Sequence, residues 1–280
     1  MTIEIRPIAT HAEYRAFIDL EQRVWTGVIP MREDVLRVMQ INGGLVLGAF
    51  DAPEGGGEKM VGLLLGYVGR AADGRFRHWS HMVGVDPAFR DQHIGYRLKL
   101  VQRERVLAQG LDVISWSYDP LLSRNAHLNI HRLGAVCHAY WPNFYGDMSD
   151  ELNAGLPSDR FEVEWHIASA HVVGRLSGHF ESPSLPDLLA AGVPTLSALA
   201  MDEKLRAGVI AHLPVGAKAL IEVPHDFHAL KRRDIALARA WRDHTGRLFK
   251  SVFACGYWVT DFLRHGDASY YLLQKGWHLE

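Results

Sequence analysis

The chain has 280 residues, of which 48% are hydrophobic and 22% charged, which excludes a disordered or fibrous protein and is enough for one large domain or two small ones. Thirty Lys and Arg stand against 32 Asp and Glu, a formal net charge of −2, so the composition carries no basic surface for nucleic acid. Two cysteines, Cys137 and Cys255, make neither a disulfide framework nor, by themselves, a closed zinc site.

Glu4 interrupts the apolar stretch that a signal peptide would need. The longest apolar runs, such as residues 61–67, are far below the roughly 20 residues of a membrane span. A cytoplasmic protein with no membrane partner is expected.

In chain order, residues 3–6 alternate and predict a strand. From Thr10 to about residue 25, Tyr14, Phe17, Ile18 and Val24 share a helical stripe, with Thr10 as N-cap and Glu13 three residues on. Residues 32–41 repeat the helical signal. Strands follow at 44–50 and 60–68, joined by the glycine-rich connector 51–58, and another at 78–85. Residues 97–109 carry Leu98, Val101 and Ala108 at helical spacing, broken only by Arg105, and Gly110 ends the helix.

A strand at 113–117, a short helix at 125–133 and strands at 135–140 and 161–167 come next. Residues 181–197 hold three prolines and predict a boundary. Beyond it lie a strand at 219–223, a long amphipathic helix at 234–254 and a hairpin of strands 257–263 and 269–274. The order predicts a mixed α/β sheet, not a doubly wound one. The domains expected are 1–180 and a C-terminal α+β extension, 181–280.

The informative stretch runs from Val83 to Leu98: a strand, a tight polar loop, then a helix whose start follows Gly95. Such a junction offers unpaired N–H groups and the positive end of a helix dipole, with Arg90 and Arg97 adding charge, and a pyrophosphate suits it. A plain strand-to-helix turn with surface arginines is the commoner meaning of such a pattern.

Val85-Asp-Pro-Ala-Phe-Arg90, then Ile94-Gly95 and an amphipathic helix, resembles the acetyl-CoA loop of the GNAT superfamily of N-acyltransferases. The order of elements over about residues 1–167 is similar to that family's fold. The family's pattern (Gln or Arg, two residues, Gly, one residue, Gly or Ala) falls on Arg90-Asp91-Gln92-His93-Ile94-Gly95, with His93 replacing the first glycine. A place that accepts His need not demand positive φ. The resemblance implies contact between residues Arg90, Asp91, Gln92, His93, Ile94, Gly95, Tyr96 and Arg97 and an acyl-CoA co-substrate, acetyl-CoA or succinyl-CoA. No metal is implied.

The resemblance also implies that the strand ending at Val85 splays from the strand at 113–117. Pantetheine would then pair with the backbone near Val83 and Val85, leaving the thioester close to His81. In arylalkylamine N-acetyltransferases, similar GNAT enzymes, a histidine stands four positions before the final Val of this strand, where His81 is. His81 is thus the candidate general base, since imidazole titrates near neutral pH; a structural strand histidine is the alternative.

The family's next helix usually ends in Tyr-x-x-x-Gly-Phe, and that tyrosine commonly protonates the leaving thiolate. Here Ile130 takes its place and Gly134-Ala135 replaces Gly-Phe. Tyr118, Tyr140, Tyr145 or water are the candidates for the acid, with Tyr118 taken beside His81 as catalytic. Asn125 and Asn129 either bond the CoA amides or cap and solvate the helix.

The aromatic tract 140–161, with residues 118–125, resembles a long branch of the superfamily. Its members look like amino-acid N-acyltransferases, some of them inferred to use succinyl-CoA and to work beside N-acylamino-acid racemases. That implies acceptor contacts from Tyr140 and Tyr145, and makes Arg124 the candidate guanidinium for a succinyl carboxylate.

Three other features weigh less. His127 and His131 are spaced like zinc ligands, but Leu128 stands where a zincin has Glu. Residues 231–234 are a basic run at a helix start, read as a solvated face. Cys137 has no visible activating neighbour and reads as a buried structural thiol.

The expected function is transfer of an acyl group from CoA to the amine of an amino acid or similar small molecule. Attack is direct, through a tetrahedral intermediate whose oxyanion is held by N–H groups near Val83. The competing classes are a non-catalytic acyl-CoA-binding module and a metal-dependent hydrolase. The expected partner is the small-molecule amine, with a homodimer as one option for assembly.

Overall fold

The computed structural model describes residues 3–52, 57–71, 73–146, 148, 154–196 and 216–279. Part of the 51–58 connector and part of the 140–161 tract therefore lie outside the described residues. Those described fall into two compact units, 3–116 and 117–279.

The first unit contains β1 (Ile3–Pro7), α1 (His11–Val24), α2 (Glu33–Ile41), β2 (Leu45–Asp51), β3 (Lys59–Arg70), β4 (Phe76–Val85), α3 (Ile94–Ala108) and most of β5 (Val113–Tyr118). The strands lie in the order β1-β2-β3-β4-β5. Neighbours are antiparallel except β4 and β5, which run parallel.

The predicted capping box is present. Glu13 N donates to Thr10 Oγ1 at 3.2 Å, and Thr10 N donates to Glu13 Oε2 at 2.9 Å, satisfying two N–H groups that the helix cannot. The stripe it starts puts Phe17 and Leu20 against Leu36, Val46, Phe50, Leu63 and Leu65. Each such buried side chain contributes about 1.5–3 kcal/mol.

On α3, Ile94 and Leu98 pack over β3 at Gly62, where a Cβ would come within 2.9 Å of Ile94 Cγ2. This helix departs from the sequence reading at its start and on its inner face. It begins at Ile94 because His93 adopts the left-handed conformation that caps it. Its buried side is Ile94, Leu98, Lys99, Gln102 and Val106, while Ala108 is exposed. Gly110, at φ 76°, follows the C-cap as expected.

The second unit opens with the end of β5. It continues through α4 (Ser123–Ala126), a π-helical stretch (His127–Arg132), β6 (Val136–Trp141), β7 (Arg160–His166), α5 (Ala170–Leu176) and α6 (Leu185–Ala190). Then come β8 (Lys218–Pro224), α7 (Phe227–Arg233), α8 (Ile235–Ala254), β9 (Tyr257–His265) and β10 (Ala268–Lys275). The strand order is β7-β6-β9-β10-β8, antiparallel throughout.

The core of this unit is aromatic: the Phe161 and Phe249 ring centroids are 4.6 Å apart, and those of Phe262 and Tyr271 4.8 Å. Both units are mixed α/β, as predicted, and neither is doubly wound. No described helix is long and apolar enough to cross a membrane.

Candidate functional site

On β4 the pairing with β3 steps from Leu65↔Met82 to Gly66↔Ser80, so His81 is one residue too many for the ladder. Such a bulge bends a strand and re-aims its side chain. The His81 ring is exposed and lies 6.1 Å from that of Tyr67. Surrounding protein nevertheless holds its pKa below the ordinary 6.5 by desolvation. An open ring with a crowded setting is what a side chain in a concavity shows, and it leaves imidazole neutral at pH 7.

β4 pairs with β5 at His78↔Ile114 and Trp79↔Ser115, one step before the bulge, although β4 runs on to Val85. The two strands part where His81 stands. Val83 and Val85, both partly exposed, lie on the continuation.

The loop after β4 starts with Asp86, whose Oδ1 accepts from Ala88 N at 3.0 Å. Asp91 and His93 then take φ of 65° and 59°. This corrects the reading of His93: the place does demand positive φ, as a glycine there would suggest. Left-handed residues other than glycine are strained, typically at functional positions. Alternating handedness turns successive N–H groups into an anion-binding concavity, and the N-terminus of α3 follows at once.

Arg90, Asp91, Gln92, His93 and Arg97 are exposed, Ile94 is buried and Gly95 and Tyr96 are half-buried. Arg97 Nη2 donates to Ile3 O at 2.6 Å, which ties it to β1. The backbone of residues 90–95 with the Arg90 guanidinium is suited to a pyrophosphate; Asp86 and Asp91 are the acidic residues of the loop.

Behind β4 lies a cluster that the sequence reading missed. Lys99 is 3% exposed, with Nζ 2.9 Å from Ser80 Oγ and 3.2 Å from Gln102 Oε1. Burial depresses its pKa well below 10.5. His78 is fully buried, neither ring nitrogen has a partner, and burial and then Lys99 push its pKa down to about 4. The signal was present in sequence: Lys99 and Gln102 fall on the helical stripe of Ile94, Leu98 and Val106.

The remaining candidates belong to the second unit. Tyr118 is 5% exposed, its hydroxyl lies 3.1 Å from that of Tyr271, and burial raises its pKa well above 10. The Tyr140 hydroxyl donates to Asp159, and burial together with that carboxylate raises its pKa too. Tyr145 is 46% exposed, with its hydroxyl 2.8 Å from Ser117 Oγ. Arg124 and Asn125 are exposed on α4, and Asn129 is buried in the π-helical stretch.

Cys137 is buried with its thiol against the carbonyls of Ala139 and Glu162, and burial raises its pKa. A buried thiol of raised pKa offers little thiolate for nucleophilic attack. His127 and His131 stack at 4.7 Å, but no group of three or more metal-ligating side chains occurs among the described residues. The basic run Lys231, Arg232 and Arg233 forms the last turn of α7 rather than a helix start, where it complements the dipole.

No protein-family model matches the sequence, and no curated protein matches it. Among solved structures the chain is similar to the NatC complex bound to Gag peptide and CoA, at 16% identity and a TM-score of 0.48, over 59% of this chain and 99% of that one. It is similar to the ribosomal-protein-S18-alanine N-acetyltransferase from Escherichia coli, at 17% identity and a TM-score of 0.46, over 60% and 96%. A GNAT-family acetyltransferase from Streptococcus pneumoniae gives 15% identity and a TM-score of 0.46, over 58% and 98%. Likeness at this level leaves activity and substrate to the chain's own residues.

Proposed function

We propose that the chain is a cytoplasmic, acyl-CoA-dependent N-acyltransferase of the GNAT type, acting on the amine of an amino acid or similar small molecule. The observation that carries the reading is the bulge placing His81 where β4 and β5 cease to pair. Acyl-CoA supplies the activated acyl group as its thioester. Residues 90–95 hold its pyrophosphate, and the unpaired edge of β4 near Val83 and Val85 accepts pantetheine as an added strand. Backbone donors on the same edge receive the charge that develops on the carbonyl oxygen.

His81 takes the proton that the acceptor's ammonium must lose before it attacks. Its lowered pKa keeps it in the basic form at neutral pH. In this reading the transferase module spans 1–180, with 181–280 as its extension. Asn125 and Asn129 bond the CoA amides, Tyr140 and Tyr145 contact the acceptor, and Arg124 receives a carboxylate if the donor is succinyl-CoA. A homodimer is the assembly to test first.

The test is release of free thiol from acetyl- and succinyl-CoA with a panel of D- and L-amino acids. His81→Gln should lower the rate by roughly 10²–10⁴-fold, and the wild-type acid limb should lie below pH 6.5. A loss under about threefold would remove His81 as the base. The buried, hydrogen-bonded Tyr118 hydroxyl favours a second reading, a module that binds acyl-CoA without turning it over. Stabilisation by CoA without thiol release from any pair would select it.

A further inference from the structure

The second unit contains a cavity of about 270 Å³ lined by His127 and His131 of the π-helical stretch, Leu185 of α6, and Leu263, Arg264 and His265 at the end of β9. Basic groups crowd it. Burial, then Arg264, His131 and Arg132, push the pKa of His127 down to about 4. Burial, then Arg124, pulls down that of Arg264.

Arg264 has no carboxylate partner among the described residues. The nearby acid Asp261 is 2% exposed and already engaged, accepting from Arg175 Nη1 at 3.0 Å and lying 3.1 Å from His131 Nδ1. Asp187 accepts a hydrogen bond from the Ser184 hydroxyl. A guanidinium such as that of Arg264, set beside apolar walls and near another arginine, is disfavoured until an anion joins it. Leu185 and Leu263, which pack together with Leu188, Leu220 and Leu272, supply those walls.

We propose that this cavity binds a small organic carboxylate with an apolar tail, its carboxylate on Arg264 and its tail against Leu185 and Leu263. The size is just below the usual range of ligand pockets, which suits a molecule no larger than an amino acid. The site goes beyond the acyl-transfer reading and stands without it.

Calorimetric titration of the full chain with 4-methylpentanoate and with the uncharged 4-methylpentanamide tests it. The acid should bind at least about tenfold more tightly than the amide, because a guanidinium–carboxylate pair is charge-assisted. Arg264→Gln, at an exposed strand end, should keep the wild-type Tm, remove that preference and leave the amide unaffected. Equal binding of acid and amide, no binding of the acid, or an unchanged preference in Arg264→Gln would overturn the site. CoA-induced stabilisation, followed in the same proteins, separates the two readings: its absence from wild type that binds the acid counts against acyl transfer alone.

Discussion

Lys99 Nζ stands 3.5 Å from the centroid of the Trp116 ring, and among the described residues no carboxylate is paired with it. Burial penalises the charged form of an amine so placed and lowers its pKa. The folded state therefore binds fewer protons here than the unfolded state at every pH between the depressed pKa and the ordinary 10.5. Stability rises with pH across that window, by about 1.4 kcal/mol per unit for this one group. Lys99→Met should remove that slope. Urea unfolding of both proteins between pH 6 and pH 10 measures it, and parallel curves would mean that the amine is charged in the fold.

His78 obeys the same sign at lower pH. Its folded pKa of about 4 against an ordinary 6.5 costs stability as pH falls through that interval, roughly 3 kcal/mol in all. His78→Leu should lose this acid sensitivity. The ring also fills the place of a side chain on β3: a Cβ on Gly66 would lie 2.2 Å from His78 Nε2. Gly66→Ala should destabilise by about 1–3 kcal/mol. Adding His78→Ala should lessen that loss, and strict additivity would show that the crowding lies elsewhere.

His93 at φ 59° predicts a ranking that a helix cap alone would not. His93→Gly should leave stability unchanged or raise it by up to about 1 kcal/mol while keeping CoA binding. His93→Val should lower both, since a β-branched residue is the worst choice for a left-handed position. Thermal unfolding with and without CoA measures the two effects. Equal behaviour of Gly and Val would disprove the strained loop.

If the chain transfers acyl groups as proposed, exposure divides the tyrosines that would protonate the departing thiolate. Tyr118 is buried against Tyr271, whereas Tyr145 presents 46% of its surface. Tyr145→Phe should lower turnover with KM for CoA nearly constant. Tyr118→Phe should reduce stability, measured by denaturant, with little effect on the rate of the folded fraction. The reverse pattern would restore Tyr118 to the role.

Legibility in the sequence followed periodicity and caps. The Thr10/Glu13 box, the strands of the first unit and the hairpin of β9 and β10 can be read because alternation and cap chemistry are local. The short helices α5, α6 and α7 had no such signal. Each has at most seven residues, and only the Ser169, Ser184 and Asp226 caps announce them. In the site, His81 could be named from resemblance, but its status as a bulge depends on register with β3, which no single strand encodes. The Lys99 cluster escaped because a polar residue on a helix is taken for surface unless a partner such as Ser80 is known to lie opposite it.

The π-helical stretch His127–Arg132 has a consequence for insertions and deletions. Such a stretch is an α-helix with one surplus residue. Loss of one residue from it would restore the ordinary winding and leave the turns on either side almost in place, because the wider turn is what absorbs the surplus residue. Arg124 rides on the preceding turn. Sequences that differ there in length by one residue would therefore still carry this charge on the Arg264 side, one with a wide turn and the other with an ordinary one.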